Sequence, residues 1–225
     1  MIIIRLELLL DFDNKTKSIT PAQAVFKALG GQVTGEKEPL QPGAVIRSEK
    51  DKWAASWHYD SCNIMHEDVD NYQECFKHML ATLEKINQTV PLGVLSRGRF
   101  RSYWILPAGK YDLVTLKQKY QYTFIKDSGL FSNSIDSCTL VEMQYNKWVL
   151  HHQSGAMDIP QLQRDFKLFK IREGTPKVFL FLATTVTSPL LVTYQSKDIE
   201  DFINKSFDLC KLHSDKFQTI MEGVL

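Results

Sequence analysis

The chain lacks an excess of charge, paired cysteines and any long apolar run, and each absence removes a class of protein. Lys and Arg number 27 against 26 Asp and Glu, a net charge of +1. A protein that binds nucleic acid with its whole surface carries a clear basic excess, so such a contact here must come from a local patch. The same balance excludes a disordered, highly acidic chain. Cys62, Cys75, Cys138 and Cys210 form no C-x-x-C pair and are spread over different predicted elements. They read as free thiols of a reducing compartment. The N-terminal run has no basic leader, is interrupted by Arg5 and Glu7, and precedes no small-residue cleavage site. A strand is expected there, not a signal peptide. No segment reaches the roughly 20 apolar residues of a spanning helix, so a cytoplasmic protein without membrane contact is expected.

Catalytic signatures are missing too. There is no Walker A loop, no G-x-G-x-x-G after a strand, no G-x-S-x-G elbow and no H-E-x-x-H helix. Gly30-Gly31 follows a helical pattern and stops it. No pair of carboxylates stands out for general acid–base work. The sequence therefore assigns no catalytic residue and no cofactor, and it favours a non-enzymatic protein.

What is present is ordinary material for a packed core. Of 225 residues 44% are hydrophobic and 24% charged, enough apolar side chain to fold without metal or disulfide. Residues 2–10 read as a buried strand. Thr20-Pro21 opens a short helix to Leu29, and a loop over 32–43 follows. Strands are expected at 44–48, 52–58 and 62–67, with a turn at Glu49-Lys50-Asp51. Tyr72, Cys75, Phe76, Met79, Leu80, Leu83 and Ile86 recur at helical spacing, which predicts an amphipathic helix over 69–88. A strand over 93–105, a helix over 111–125, and strands over 137–145 and 148–154 come next. Residues 156–176 form a connection with a helical turn at 160–169. Lys177–Thr187 is a strand with Leu190–Tyr194 pairing back on it. Ser196 is expected to cap a last helix running to about Glu222, with inner face Ile199, Phe202, Ile203, Leu209, Cys210, His213, Phe217 and Ile220.

The order strand, short helix, several strands, long helix occurs twice. Asp51-Lys52-Trp53 begins a strand after a turn, and Asn146-Lys147-Trp148 does so 95 residues later. The expected fold is α+β, built as two pseudo-repeats over 1–91 and 92–225 in one compact unit. Each repeat lays a long helix on one face of a curved antiparallel sheet. This topology resembles the tandem repeats of TATA-binding-protein-like folds. Three local features also resemble a sporadically distributed prokaryotic family of uncharacterised proteins. They are the Trp-bearing segment Asp51–Trp57, the Arg-Gly-x-x-Arg strand Arg97-Gly98-Arg99-Phe100-Arg101, and Leu212-His213 followed by Phe217. Where that family's strand ends in Tyr-Ile-Asn, this chain has Ser102-Tyr103-Trp104. The resemblance implies a prokaryotic or phage origin and a place in a defence or mobile-element system, with no established activity.

The main candidate site is Arg97, Arg99 and Arg101, together with Tyr103. Side chains alternate along a strand, so all share one face at about 7 Å intervals, with Leu95 on it too and Gly98, Phe100 and Ser102 on the other. Three guanidiniums so placed repel unless anions lie between them. The anions are a protein partner's carboxylates, phosphates of a nucleic acid or nucleotide, or neighbouring Asp and Glu of the chain itself. Phe100, Tyr103 and Trp104 offer stacking to a nucleic acid or belong to the core. The leading expectation is a binding or adaptor module for an acidic protein partner. The alternatives are a nucleic-acid or nucleotide-binding protein using the same strand, and a metal-dependent hydrolase. For the last, His58, Cys62 and His66 have the right ligand types, but their spacing fits no established zinc pattern. His151-His152 lies on a strand, so its imidazoles face opposite ways. His213, on the inner face of the last helix, is expected to be buried and hydrogen-bonded.

Overall fold

A computed structural model describes residues 1–13, 24–25, 28–29, 44–48, 52–57, 60–125, 138–166 and 173–225. The loop expected over 32–43, the turn at 49–51, most of the helix over 21–29 and His58 lie outside them. The described chain forms strands β1 (Ile2–Asp13), β2 (Ala44–Ser48), β3 (Trp53–Trp57) and β4 (Ser61–Glu67), then helix α1 (Tyr72–Thr89). It continues with β5 (Val94–Pro107), α2 (Leu113–Phe124), β6 (Cys138–Tyr145), β7 (Trp148–Asp158), α3 (Ile159–Phe166), β8 (Val178–Thr193) and α4 (Ser196–Glu222). The strands make one eight-stranded sheet in the order β2-β3-β4-β1-β5-β8-β7-β6. Every neighbouring pair is antiparallel. This is the α+β class the sequence predicts.

Alternation in each strand decides which face is buried. In β1, Leu6, Leu8 and Leu10 are fully buried, while Arg5, Glu7 and Asp11 take the other face. Phe100 and Trp104 of β5, Leu180, Leu182 and Val186 of β8, and Ile64 of β4 join the leucines in the main core. The amphipathic faces of α1, α2 and α4 cover that core. Asn71 caps α1 by accepting from the backbone N–H of Gln73 at 3.0 Å, and Asp112 caps α2 by accepting from Thr115 at 2.7 Å. Helix α4 runs for 27 residues and starts at Ser196, with Gln195 and not Ser196 at the N-cap and no side-chain cap hydrogen bond. Its buried stripe departs from the expected one from its middle onward. Ile220 is 49% exposed, whereas Phe207 and Met221 are buried. A 3.6-residue period over seven turns moves the stripe away from a face fixed at the first turn. Phe207 lies between elements, within aromatic contact of Tyr72 and Phe76 of α1 and Phe100 and Trp104 of β5. Helix α3 packs on the opposite face, where Leu162 joins Ile4, Tyr103, Ile105, Phe179 and Phe181 in a second, smaller core.

Two sequence expectations are corrected. The segments 177–187 and 190–194 do not pair with each other. They are one 16-residue strand, β8, whose length runs beside β5. Pro189 is tolerated inside it because it stands beside a bulge of β8 itself, where Pro189 and Val192, three residues apart, pair with Arg97 and Leu95, two residues apart. On its other side β5 carries an extra residue, Ser96, against the Asp11–Phe12 step of β1, which reverses side-chain parity, so Leu95 turns away from the arginines and is fully buried in the main core.

Gly98 has a steric purpose. A Cβ there would stand 2.8 Å from Phe202 Cζ and 3.1 Å from Leu190 Cδ1. Phe202 cannot swing aside, because its ring stacks on Trp148 at 5.5 Å. Gly98→Ala is expected to cost about 1–3 kcal/mol in urea unfolding, and Phe202→Leu added to it should recover most of that loss. An alanine variant as stable as the parent would show that the close approach is not a constraint.

Candidate functional site

The register brings charged and polar residues of five strands into rows on the face opposite α1, α2 and α4. One row runs Glu7–Arg101–Thr185–His151–Glu142 across β1, β5, β8, β7 and β6. The next places Leu9 beside Arg99 and Thr187, and a third places Asp11 beside Arg97. The three arginines, Glu7, His151, Thr185 and Thr187 of these rows floor a cleft of about 660 Å³, with Leu140 of β6 and Asp165 of α3 in its walls. Arg97, Arg99 and Arg101 therefore share a face, as the strand period predicts.

The anions between the guanidiniums include the chain's own carboxylates. Arg99 Nη2 donates to both carboxylate oxygens of Asp11, at 2.8 and 3.1 Å. Arg97 Nε is 3.4 Å from the same carboxylate. Arg101 Nη1 lies 3.4 Å from Glu7, and its Nε donates to Thr185 Oγ1 at 2.9 Å. Behind them Arg5, 5% exposed, bonds to Glu67 and to Glu7. Four guanidiniums thus share three carboxylates among the described ion pairs of this face. Arg97 and Arg99 divide one acid between them. The Arg97 side chain is 57% exposed, and Arg99 Nε is buried without a hydrogen-bond partner.

Tyr103 lines the cleft but is almost wholly buried. Only 4% exposed, it accepts from Arg101 Nη1 at 3.0 Å. Burial, followed by the Glu7 charge, raises its phenol pKa, so it remains neutral. Burial opposes the charge on Arg101, but Tyr103 and Glu7 outweigh it and hold that pKa above the ordinary value. Phe100 and Trp104 are buried on the helix side and present nothing to a ligand on this face. His151 lines the cleft with Nδ1 3.3 Å from Glu142, while His152 points the other way into the helix layer.

The sequence-predicted metal ligands are not brought together. Cys62 and His66 share a face but stand four residues apart on β4, about 13 Å along a strand. Cys62 is buried between Leu10 and Trp57, and burial pushes its thiol up to about 12. His66 Nε2 is 3.0 Å from His78 Nδ1. Among the described residues no group of three His, Cys, Asp or Glu is placed to hold a metal ion. His213 is half-buried, not fully so, with its ring 4.5 Å from that of His152.

Sequence reasoning missed Glu7, Asp11, Thr185 and Thr187. A signal for them existed. Arg5-x-Glu7-x-x-x-Asp11 and Thr185-x-Thr187 follow the same two-residue period as the arginines, inside segments read only as apolar strands. No family model matches the chain, and neither a curated protein nor a solved structure matches it. Among the described residues no helix is long and apolar enough to cross a membrane.

Proposed function

We propose that this chain is a non-enzymatic binding module that takes an anionic segment of a protein partner into the arginine cleft. The observation that carries the reading is the sharing of Asp11 by Arg97 and Arg99, which leaves a cationic remainder at the cleft floor. Arg101 and Tyr103 hold the far end of that floor in place through their hydrogen bond. Concavity favours an inserted side chain over a flat contact. Nucleic acid is the poorer fit, because stacking needs exposed rings and the three aromatics of this strand are buried.

We also read the two halves as a tandem repeat. The order β1-β4-β3-β2 on one side and β5-β8-β7-β6 on the other supports this. So do the turns that precede the two Trp-initiated strands, which carry a positive-φ residue one position before Trp53 (Lys52) and two positions before Trp148 (Asn146).

The test is a panel of fluorescent acidic peptides, some rich in Glu and Asp and some carrying phosphoserine, titrated at low salt. Replacing Arg97, Arg99 and Arg101 together by Gln should weaken every peptide that binds by at least tenfold, with the circular dichroism spectrum unchanged. Binding should also fall as salt screens the charges. A triple variant that binds as well as the parent, or a panel in which nothing binds, ends the proposal.

A further inference from the structure

We propose that the anion seated in this cleft is a phosphate monoester dianion and not a carboxylate. This rests on the binding-module reading above and names the chemistry of its ligand. The cleft already holds competing carboxylates. Asp11 and Glu7 already offer carboxylates to these guanidiniums from within the chain. An incoming Asp or Glu brings the same single charge and the same two oxygens, and must displace a competitor that is tethered in place. A phosphate monoester carries about −1.5 to −2 charges and three acceptor oxygens, so it gains what the resident acids cannot give.

The donor set points the same way. Arg99 Nε is a buried donor without a partner, and a buried donor left unbonded is destabilising. The Thr185 hydroxyl accepts from Arg101 Nε, which leaves its own proton to donate. Thr187, the register partner of Arg99, lines the same cleft. Guanidinium and hydroxyl donors converging from two neighbouring strands suit a tetrahedral group with three oxygens better than a planar one with two. The volume of about 660 Å³ admits the phosphate and the group that bears it. That bearer is a side chain or a nucleoside, and the chemistry of the floor is the same for both.

The experiment follows the arginine Nε–Hε resonances of the full chain by ¹H–¹⁵N NMR. The probes are a phosphoserine peptide, the same peptide with Glu in place of phosphoserine, and adenosine monophosphate. The phosphoserine peptide should bind at least tenfold more tightly than the Glu peptide and shift the Arg99 resonance. Arg99→Gln should remove at least tenfold of that affinity, and Thr187→Val, which leaves the ion pairs alone, should weaken it severalfold. Adenosine monophosphate binding more tightly than the phosphopeptide would uphold the phosphate and assign it to a nucleotide. Equal affinity for the Glu and phosphoserine peptides would overturn the phosphate inference while leaving the anion-binding reading intact. If no probe moves any arginine resonance at low salt, both fall.

Discussion

Between pH 6.5 and pH 4 the protein is expected to lose on the order of 6 kcal/mol of unfolding free energy, roughly half from each of two buried histidines. His66 and His152 are each only 8% exposed. Burial, followed by the His78 charge, lowers the pKa of His66 from 6.5 to about 4. Burial, followed by His213 and His151, lowers that of His152 to about 4 as well. Both are therefore neutral in the fold at pH 5, whereas in the unfolded chain both are charged. The unfolded state binds more protons in this window, so stability rises with pH across it. The full contribution is present above about pH 6.5 and is gone below about pH 4. A loss of this size is comparable to the 5–15 kcal/mol that keeps a typical domain folded. Each histidine faces another on a covering helix, His78 on α1 and His213 on α4, so protonation acts at the seam between sheet and helices. Urea unfolding at a series of pH values reads the effect. His66→Gln should remove about half of the pH dependence, whatever it does to stability at pH 7. A stability profile flat from pH 7 to 5 would show that these imidazoles are solvated in the folded protein.

Glu67→Leu is expected to destabilise the protein by about 3–5 kcal/mol, the usual result of removing one partner of a buried ion pair. The Glu67 and Arg5 side chains are 2% and 7% exposed, and Arg5 donates to Glu67 from both Nε and Nη2. Without Glu67 the guanidinium keeps Glu7, but Glu7 must then serve Arg5 and Arg101 with one charge less in the row. Arg5→Met combined with Glu67→Leu should restore most of the lost stability, because a pair of apolar side chains has no charge to solvate. A Glu67→Leu variant within 1 kcal/mol of the parent would show that the pair contributes little beyond its own desolvation. The same variants probe the cleft, since Arg5 supports Glu7 and Glu7 supports Arg101 and Tyr103.

Periodicity made the elements legible. Spacing of three and four marked α1 and most of α4, and alternation placed Arg97, Arg99 and Arg101 on one face. It went wrong where a local rule was broken by a distant neighbour. Leu95 leaves the arginine face because β5 carries an extra residue opposite the Asp11–Phe12 step of β1, a neighbour far away in sequence. Segment 177–194 is legible as two strands and not one, because a proline normally ends a strand and the bulge beside it shows only in the pairing with β5. Gly98 gave no reason for itself until Phe202 of α4 was in view.

The candidate site divides the same way. By itself the sequence determined the α+β class, the helices, and the common direction of three guanidiniums, because each follows from bond geometry repeated over neighbouring residues. Only the tertiary structure decided that β1 lies beside β5, so that Asp11 and Glu7 sit among those guanidiniums, and that β8 supplies the threonines. Strand neighbours are chosen by burial of faces far apart in the chain. A side chain's charge environment follows from that choice and is not encoded in the residues next to it.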